Sequence, residues 1–194
     1  MANDSSTGGF LPPAGSPAPV EDLALDAVVQ QLVVGITGLP GNLVRPRWQP
    51  TVPKQPEAST NWCAIGVLEI EPDNAPAIIH QAAGNGADLL RRDERVTVLA
   101  SFYGPAGMAN AALLRDGLYL AQNNDFLSSN GIGLVDTTSI VPAPELVNQQ
   151  WIRRWDMRVR FYRVILRSYP VLNLLHAQAT IFNDGDAVTV TAGV

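Results

Sequence analysis

Apolar residues recur at three- and four-residue intervals over residues 21–36, where Leu25, Val28, Val29, Leu32 and Ile36 form one stripe. That period predicts an amphipathic helix, because residues three and four apart share a helical face. Glu21 and Asp22 stand in its first turn, where the helix dipole favours acids, and Gly38 and Pro40 close it. A second stripe, Met108, Ala111, Leu114, Leu118 and Ala121, predicts a helix over residues 106–122, after the stop at Gly104-Pro105. The Asn- and Ser-rich residues 123–130 read as a loop.

Elsewhere the period is two, the signature of strands. Residues 62–70 are a mostly buried β-rich run. Over residues 95–103, Val96, Val98, Ala100 and Phe102 alternate with Arg95, Thr97 and Ser101. Between these runs, residues 74–88 form a polar, Gly-rich insertion around a short strand at 77–81. A strand at 133–141 is ended by Pro142 and Pro144. The last large element spans residues 151–168, where Trp155, Met157, Val159 and Phe161 alternate with Arg154, Asp156, Arg158 and Arg160. After Pro170, the turn Asn183-Asp184-Gly185-Asp186 predicts a terminal hairpin. A meander of antiparallel strands is the economical arrangement.

Proline divides the rest. Nine of the fifteen prolines precede Glu57, and five fall within residues 40–56. This segment must be extended, since proline lacks the amide donor and pushes its predecessor out of the helical region. It reads as a surface connection with one edge strand at 43–48. Residues 1–19, with no basic residue and no apolar run, read as a flexible arm and not as a signal or transit peptide. The expected organisation is an arm at 1–19, a domain at 20–182 and a hairpin or arm at 183–194.

Composition adds constraints. A length of 194 residues fits one domain with its own core. Only 16% of residues are charged, against about 25% in typical domains. Such a chain hides surface in partners or carries long irregular segments. No apolar stretch approaches the roughly 18 residues of a membrane span, so a soluble protein is expected. The net charge of -5 argues against a protein that binds nucleic acid over its whole surface. Twelve of the thirteen basic residues are Arg, and only Lys54 is Lys. Arg suits fixed, planar contacts to carboxylates and aromatics, although GC-rich coding produces the same bias.

Catalytic and metal signatures are sparse. Cys63 cannot form an internal disulfide and lies in a buried strand pattern, where a thiol is an inert small hydrophobe. His80 and His176 match no constellation, and no G-x-S-x-G elbow is present. Gly84-Asn85-Gly86 and Gly131-Ile132-Gly133 lack the third glycine of a phosphate loop. No metal-ligand spacing is found, no cofactor is expected, and the carboxylate pairs Glu69/Glu71 and Asp93/Glu94 read as solvated charges.

The most specific feature is a run of six Arg (Arg153, Arg154, Arg158, Arg160, Arg163 and Arg167) interleaved with Trp151, Trp155, Phe161, Tyr162 and Tyr169. Single-strand nucleic-acid binding would need aromatics on the same exposed face as the cations. The alternation instead puts Trp155 and Phe161 opposite Arg158 and Arg160. An acidic protein partner, including a second copy, fits better, and pairing within the subunit remains the plain alternative.

Several strings in order along residues 38–180 resemble a family of phage and prophage neck terminator (tail terminator) proteins. They are GNLVRPRWQPTVPKQP, NWCAIGV, SFYGP, AALLRDGLYLAQN, PELVNQQWIRRWDMRV and SYPVLNLL. The resemblance implies an α/β (α+β) domain with a mainly antiparallel sheet flanked by two main helices. It implies a structural virion protein without enzymatic activity or cofactor, assembled as a hexameric ring that ends the tail tube and sheath. Its implied partners are its own copies, tail tube and sheath proteins and the head-tail connector, with genomic DNA in the lumen without sequence-specific binding. It implies no membrane partner, a place in the virion and assembly in the host cytoplasm. A head-completion or baseplate adaptor would share this composition. Closed rings use heterologous contacts. Arg153, Arg154, Arg158 and Arg160 are therefore the expected contacts to an adjacent copy or ring, with Asp93 and Glu94 as acceptors.

Overall fold

The computed structural model describes residues 3–15, 18–51, 53–147, 149–174, 176–183 and 186–193. In chain order its elements begin with α1 (Asp22–Thr37), a 3-10 turn (Gly41–Leu43), β1 (Val44–Pro46), β2 (Trp62–Pro72), β3 (Ala77–Gln81) and β4 (Ala87–Tyr103). There follow α2 (Gly107–Gly117), α3 (Ala121–Ser129), β5 (Ile132–Thr137), β6 (Val141–Pro142), β7 (Glu145–Val147), β8 (Gln150–Ile152), β9 (Arg154–Tyr169), β10 (His176–Asn183) and β11 (Asp186–Gly193). The architecture is α+β with a mostly antiparallel sheet, as expected. The chain divides into a larger unit, residues 18–76 and 92–165, and a smaller one, residues 1–17, 77–91 and 166–194.

In the larger unit the strand order is β1-β2-β4-β9-β5, with β6 also on β9. β2 runs antiparallel to β4, as do β5 and β6 to β9. β1 departs from the simple meander: Val44 to Pro46 pair with Cys63 to Ile65 in parallel. α1 forms where its stripe predicts and ends at Gly38, whose φ of 72° lets its N–H reach the Val34 carbonyl. Its buried Leu25, Val28, Val29, Leu32 and Val33 pack with Cys63, Ile65, Val96, Val98, Phe102, Met157, Val159 and Phe161. Each such burial is worth about 1.5–3 kcal/mol. That packing, more than intrinsic propensity, holds a helix of this length. Leu114, Leu118 and Leu127 extend the same cluster, so all three helices cover one face of the sheet.

The single helix expected over 106–122 is two. α2 ends at Gly117, where a Cβ would collide with Ile36 Cγ2 of α1, and Leu118 goes straight into the core. The expected loop at 123–130 is mostly α3. Its asparagines serve the helix backbone, Asn123 Nδ2 donating to the Gly117 carbonyl at 2.8 Å and Asn124 Nδ2 to the Leu120 carbonyl at 3.3 Å. Strand lengths also shift. β4 starts at Ala87, eight residues before the expected Arg95, because its first five residues pair with β3. The strand expected over 133–141 ends at Thr137, and Val141-Pro142 makes a separate contact with β9. The run expected from residue 151 is interrupted at Arg153, with Trp151 in the small β7–β8 hairpin.

In the smaller unit β3 lies antiparallel to the start of β4, from Ala77 opposite Arg91 to Gln81 opposite Ala87. The expected C-terminal hairpin is β10–β11, with His176 opposite Gly193 and Asn183 opposite Asp186. Its turn residues Asp184 and Gly185 lie outside the described residues. Residues 3–15 are tied to their own chain. Ser5 N donates to the Pro170 carbonyl at 3.0 Å, Ala14 N to the Ser168 carbonyl at 2.8 Å, and Leu172 N to Ser5 Oγ at 2.8 Å. Pro17, also in the expected arm, lies outside the described residues.

Candidate assembly interface

Strand alternation leaves the second face of the larger unit's sheet without helices. With Val96, Val98, Met157, Val159 and Phe161 turned to the core, Thr97, Leu99 and Ser101 of β4 and Arg154, Asp156, Arg158, Arg160 and Tyr162 of β9 face the other way. β2 contributes Ala64, Gly66 and Leu68. A bulge between Val67 and Glu69 then keeps Glu69 and Glu71 opposite Thr97 and Arg95 on this face.

Its centre is an ion-pair network. The Arg154 guanidinium grips Asp156 with both edges, Nε to Oδ1 at 2.7 Å and Nη2 to Oδ2 at 2.6 Å, and its Nη1 donates to Glu145 Oε1 on β7. Ser101, fully buried, donates to Asp156 Oδ1 and accepts from Arg47 Nη2. Burial pushes the Asp156 carboxyl up, but the Arg154 and Ser101 hydrogen bonds outweigh it and hold the group below the ordinary carboxylate value. Arg154 is correspondingly raised, chiefly by Asp156. Its guanidinium also lies 6.0 Å from the Tyr103 ring centroid, and Tyr103 stacks on Trp62 at 4.1 Å with 7° between planes. Trp48, two-thirds exposed, lies over Gly66, where a Cβ would come within 2.6 Å of its ring.

Two clefts on this face share Leu68 and Leu99. One, of about 590 Å³, runs past Val141, Arg154 and Arg158. The other, of about 400 Å³, runs past Arg45, Trp48 and Trp62. The face combines open apolar surface with two cations, Arg154 and Arg160, whose geometry is already fixed. Such an arrangement suits a folded protein partner, because little side-chain entropy is left to lose on contact.

The six residues expected to contact a neighbour have different surroundings. Arg154 is engaged by Asp156 and Glu145. Arg160 pairs with Asp136 of β5, Nε to Oδ1 and Nη2 to Oδ2 both at 2.6 Å, with both side chains substantially exposed. Glu94 is turned to the core side and accepts from Arg163 Nε at 2.8 Å. Arg163 is 4% exposed, and its Nη1 also donates to the Val20 carbonyl. Asp93 is exposed, and its N–H lies 3.4 Å from Asp73 Oδ2. Arg153 and Arg158 are exposed and make no side-chain ion pair among the described residues. Glu71, Asp73, Asp93 and Glu94 border a cleft of about 540 Å³ that Arg95 and Tyr162 also line, and Asp73 Oδ1 accepts from Arg92 Nη1 at 3.0 Å.

Sequence reasoning missed Glu145, Asp136, Ser101 and Arg47 as partners of the Arg run. Only the parity of Ser101, opposite Val98 and Ala100, was available as a signal. Arg163 shares parity with Val159 and Phe161, which marks it as an inward cation. Cys63 is fully buried, and burial pushes its thiol far above the ordinary range, as expected of an inert hydrophobe. Trp155 is partly buried against the core and Phe161 buried within it, so neither offers a base-stacking platform. Among the described residues no three His, Cys, Asp or Glu side chains converge on a metal position, and no helix is long and apolar enough to cross a membrane.

The larger unit is thus an α+β domain with helices on one face of its sheet and a preorganised ion-pair network on the other. Residues 23–186 match the phage neck terminator proteins, and the chain belongs to that family. It is a structural protein of the phage neck and virion, associated with other head or tail proteins. No match is found among curated proteins.

Proposed function

We propose that the protein forms a hexameric ring at the neck that terminates the tail tube and sheath and joins the tail to the head connector, with DNA passing through its lumen. The observation that carries this reading is the helix-free sheet face, which leaves Leu68, Val141 and Tyr162 exposed around the Arg154 network. Exposed apolar surface rimmed by polar groups marks protein contacts. The chain's charge of -5 favours passage of DNA over its capture, since phosphate affinity depends on Lys and Arg.

Subunits meet head to tail in this reading, as ring closure requires. Arg153 and Arg158, the cations of the run with no ion pair among the described residues, reach the neighbour's acidic cleft, where Glu71 and Asp93 stand beside Arg95 and the Arg92-paired Asp73. Arg154, Arg160 and Glu94 keep their partners and shape the contact from inside the subunit. The N-terminal segment, with Phe10 almost fully exposed, and the β10–β11 hairpin extend onto adjacent rings or sheath. The test is charge reversal, Arg153→Glu with Arg158→Glu. Expected are folded chains and tails that fail to join heads. Normal particles from that variant would overturn the contact.

A further inference from the structure

We propose that His80 is a proton-operated clamp that fixes the chain at Asn173 to the β3–β4 hairpin. The ring lies between two acceptors, with Nδ1 at 2.7 Å from Asp88 Oδ1 and Nε2 at 2.8 Å from Asn173 Oδ1. The amide of Asn173 cannot be reversed without loss. Its Nδ2 donates to the carbonyls of Ala82 at 2.9 Å and Gly84 at 3.1 Å, which turns the oxygen toward His80. A neutral imidazole has one N–H and serves one acceptor, so both bonds together require the imidazolium. When the proton leaves, one ring lone pair faces an oxygen lone pair.

The surrounding backbone is moulded on the same residue. Asn173 N donates to the Asn85 carbonyl at 2.8 Å. Gly86, at φ +93°, passes so close that a Cβ would stand 2.6 Å from Asn173 N. The next residues toward the N-terminus, Leu172 and Pro170, hold Ser5 through its hydroxyl and its amide. The clamp thus sits at the base of the dock for residues 3–15. Among the described residues, Asp88 on β4 is the charged group against the ring. The 170–174 side presents only the neutral Asn173, and Arg91 is at the far end of the hairpin, opposite Ala77.

The bond to Asp88 first, then that to Asn173, raises the imidazole above its ordinary value, against a smaller lowering by burial. The sign follows by linkage. A group whose folded pKa is raised contributes fully below the unfolded value, about 6.5, and its contribution is lost as pH rises through the raised folded value. The clamp is closed in acid and opens toward alkaline pH.

The test is NMR on the full chain, following the His80 ring nitrogens together with amide-exchange protection at Asn173, Leu172 and Ser5 as pH rises. Both nitrogens should be protonated at the acid end. His80 should titrate above the ordinary value, and protection at the three amides should fall severalfold through that midpoint. Asp88→Asn should move the midpoint down, and His80→Gln, which donates without titrating, should remove the pH step. A His80 midpoint at or below the ordinary value would overturn the clamp, as would protection that ignores His80 protonation.

Discussion

Arg163 and Glu94 form an ion pair inside the subunit, 2.8 Å apart, with side chains only 5% and 14% exposed. Removing one partner leaves the other charge buried without compensation. Arg163→Ala should therefore cost about 3–5 kcal/mol of stability. Arg160→Ala breaks an exposed pair and should cost about 1 kcal/mol or less. Urea unfolding of both variants checks the contrast, and equal losses would mean that Arg163 is solvated.

The acid limb of stability should depend on Asp156. Its folded pKa is depressed, so its contribution is present above the unfolded value of about 3.9 and is lost as pH falls through the lower folded value. Asp156→Asn should weaken the protein at neutral pH and flatten the loss on acidification. Thermal unfolding from neutral to strongly acid pH measures this.

Two glycines in neighbouring helices should respond in opposite directions. Gly35 is exposed within α1 with nothing near its missing Cβ, so Gly35→Ala should stabilise by about 0.5–1 kcal/mol. Gly117 has no room beside Ile36, and Gly117→Ala should destabilise by about 1–3 kcal/mol. Denaturation midpoints of the two variants decide it.

Cys63 should be silent toward thiol reagents in the folded chain, because burial both shields it and suppresses the thiolate. A colour assay with a disulfide reagent should show one reactive thiol only after denaturant is added. Rapid reaction in buffer would show that β2 opens.

Periodicity made the main elements legible. The stripe of α1 and the alternation of β9 follow from side-chain direction alone, and both formed with the residues expected on each face. What escaped was set by distant partners. Gly117, the last residue of α2, packs its bare Cα against Ile36 of α1, and β3 extends β4 back to Ala87. Asp136 and Glu145 meet Arg160 and Arg154 from strands whose positions no local pattern encodes. Of the Arg run, Arg154, Arg160 and Arg163 hold fixed contacts inside the subunit, while Arg153 and Arg158 are exposed without an ion pair among the described residues. Which contacts lie inside the subunit depends on register, and Arg163 was legible as inward only by strict parity.

Deleting residues 1–19 tests the proposed role of the N-terminal segment. The three hydrogen bonds at Ser168, Pro170 and Leu172 are lost, while the core cluster is untouched. The truncated chain should fold and assemble poorly in particles. Unchanged infectivity would count against a role for the segment beyond its own subunit.

The most direct test of the central claim is a cryo-electron microscopy map of the particle neck at side-chain resolution. The account predicts a six-fold ring with the helix-free sheet face buried between copies and Arg158 against the acidic cleft of the next subunit. A ring that leaves this face in solvent, or this chain placed away from the neck, would contradict it.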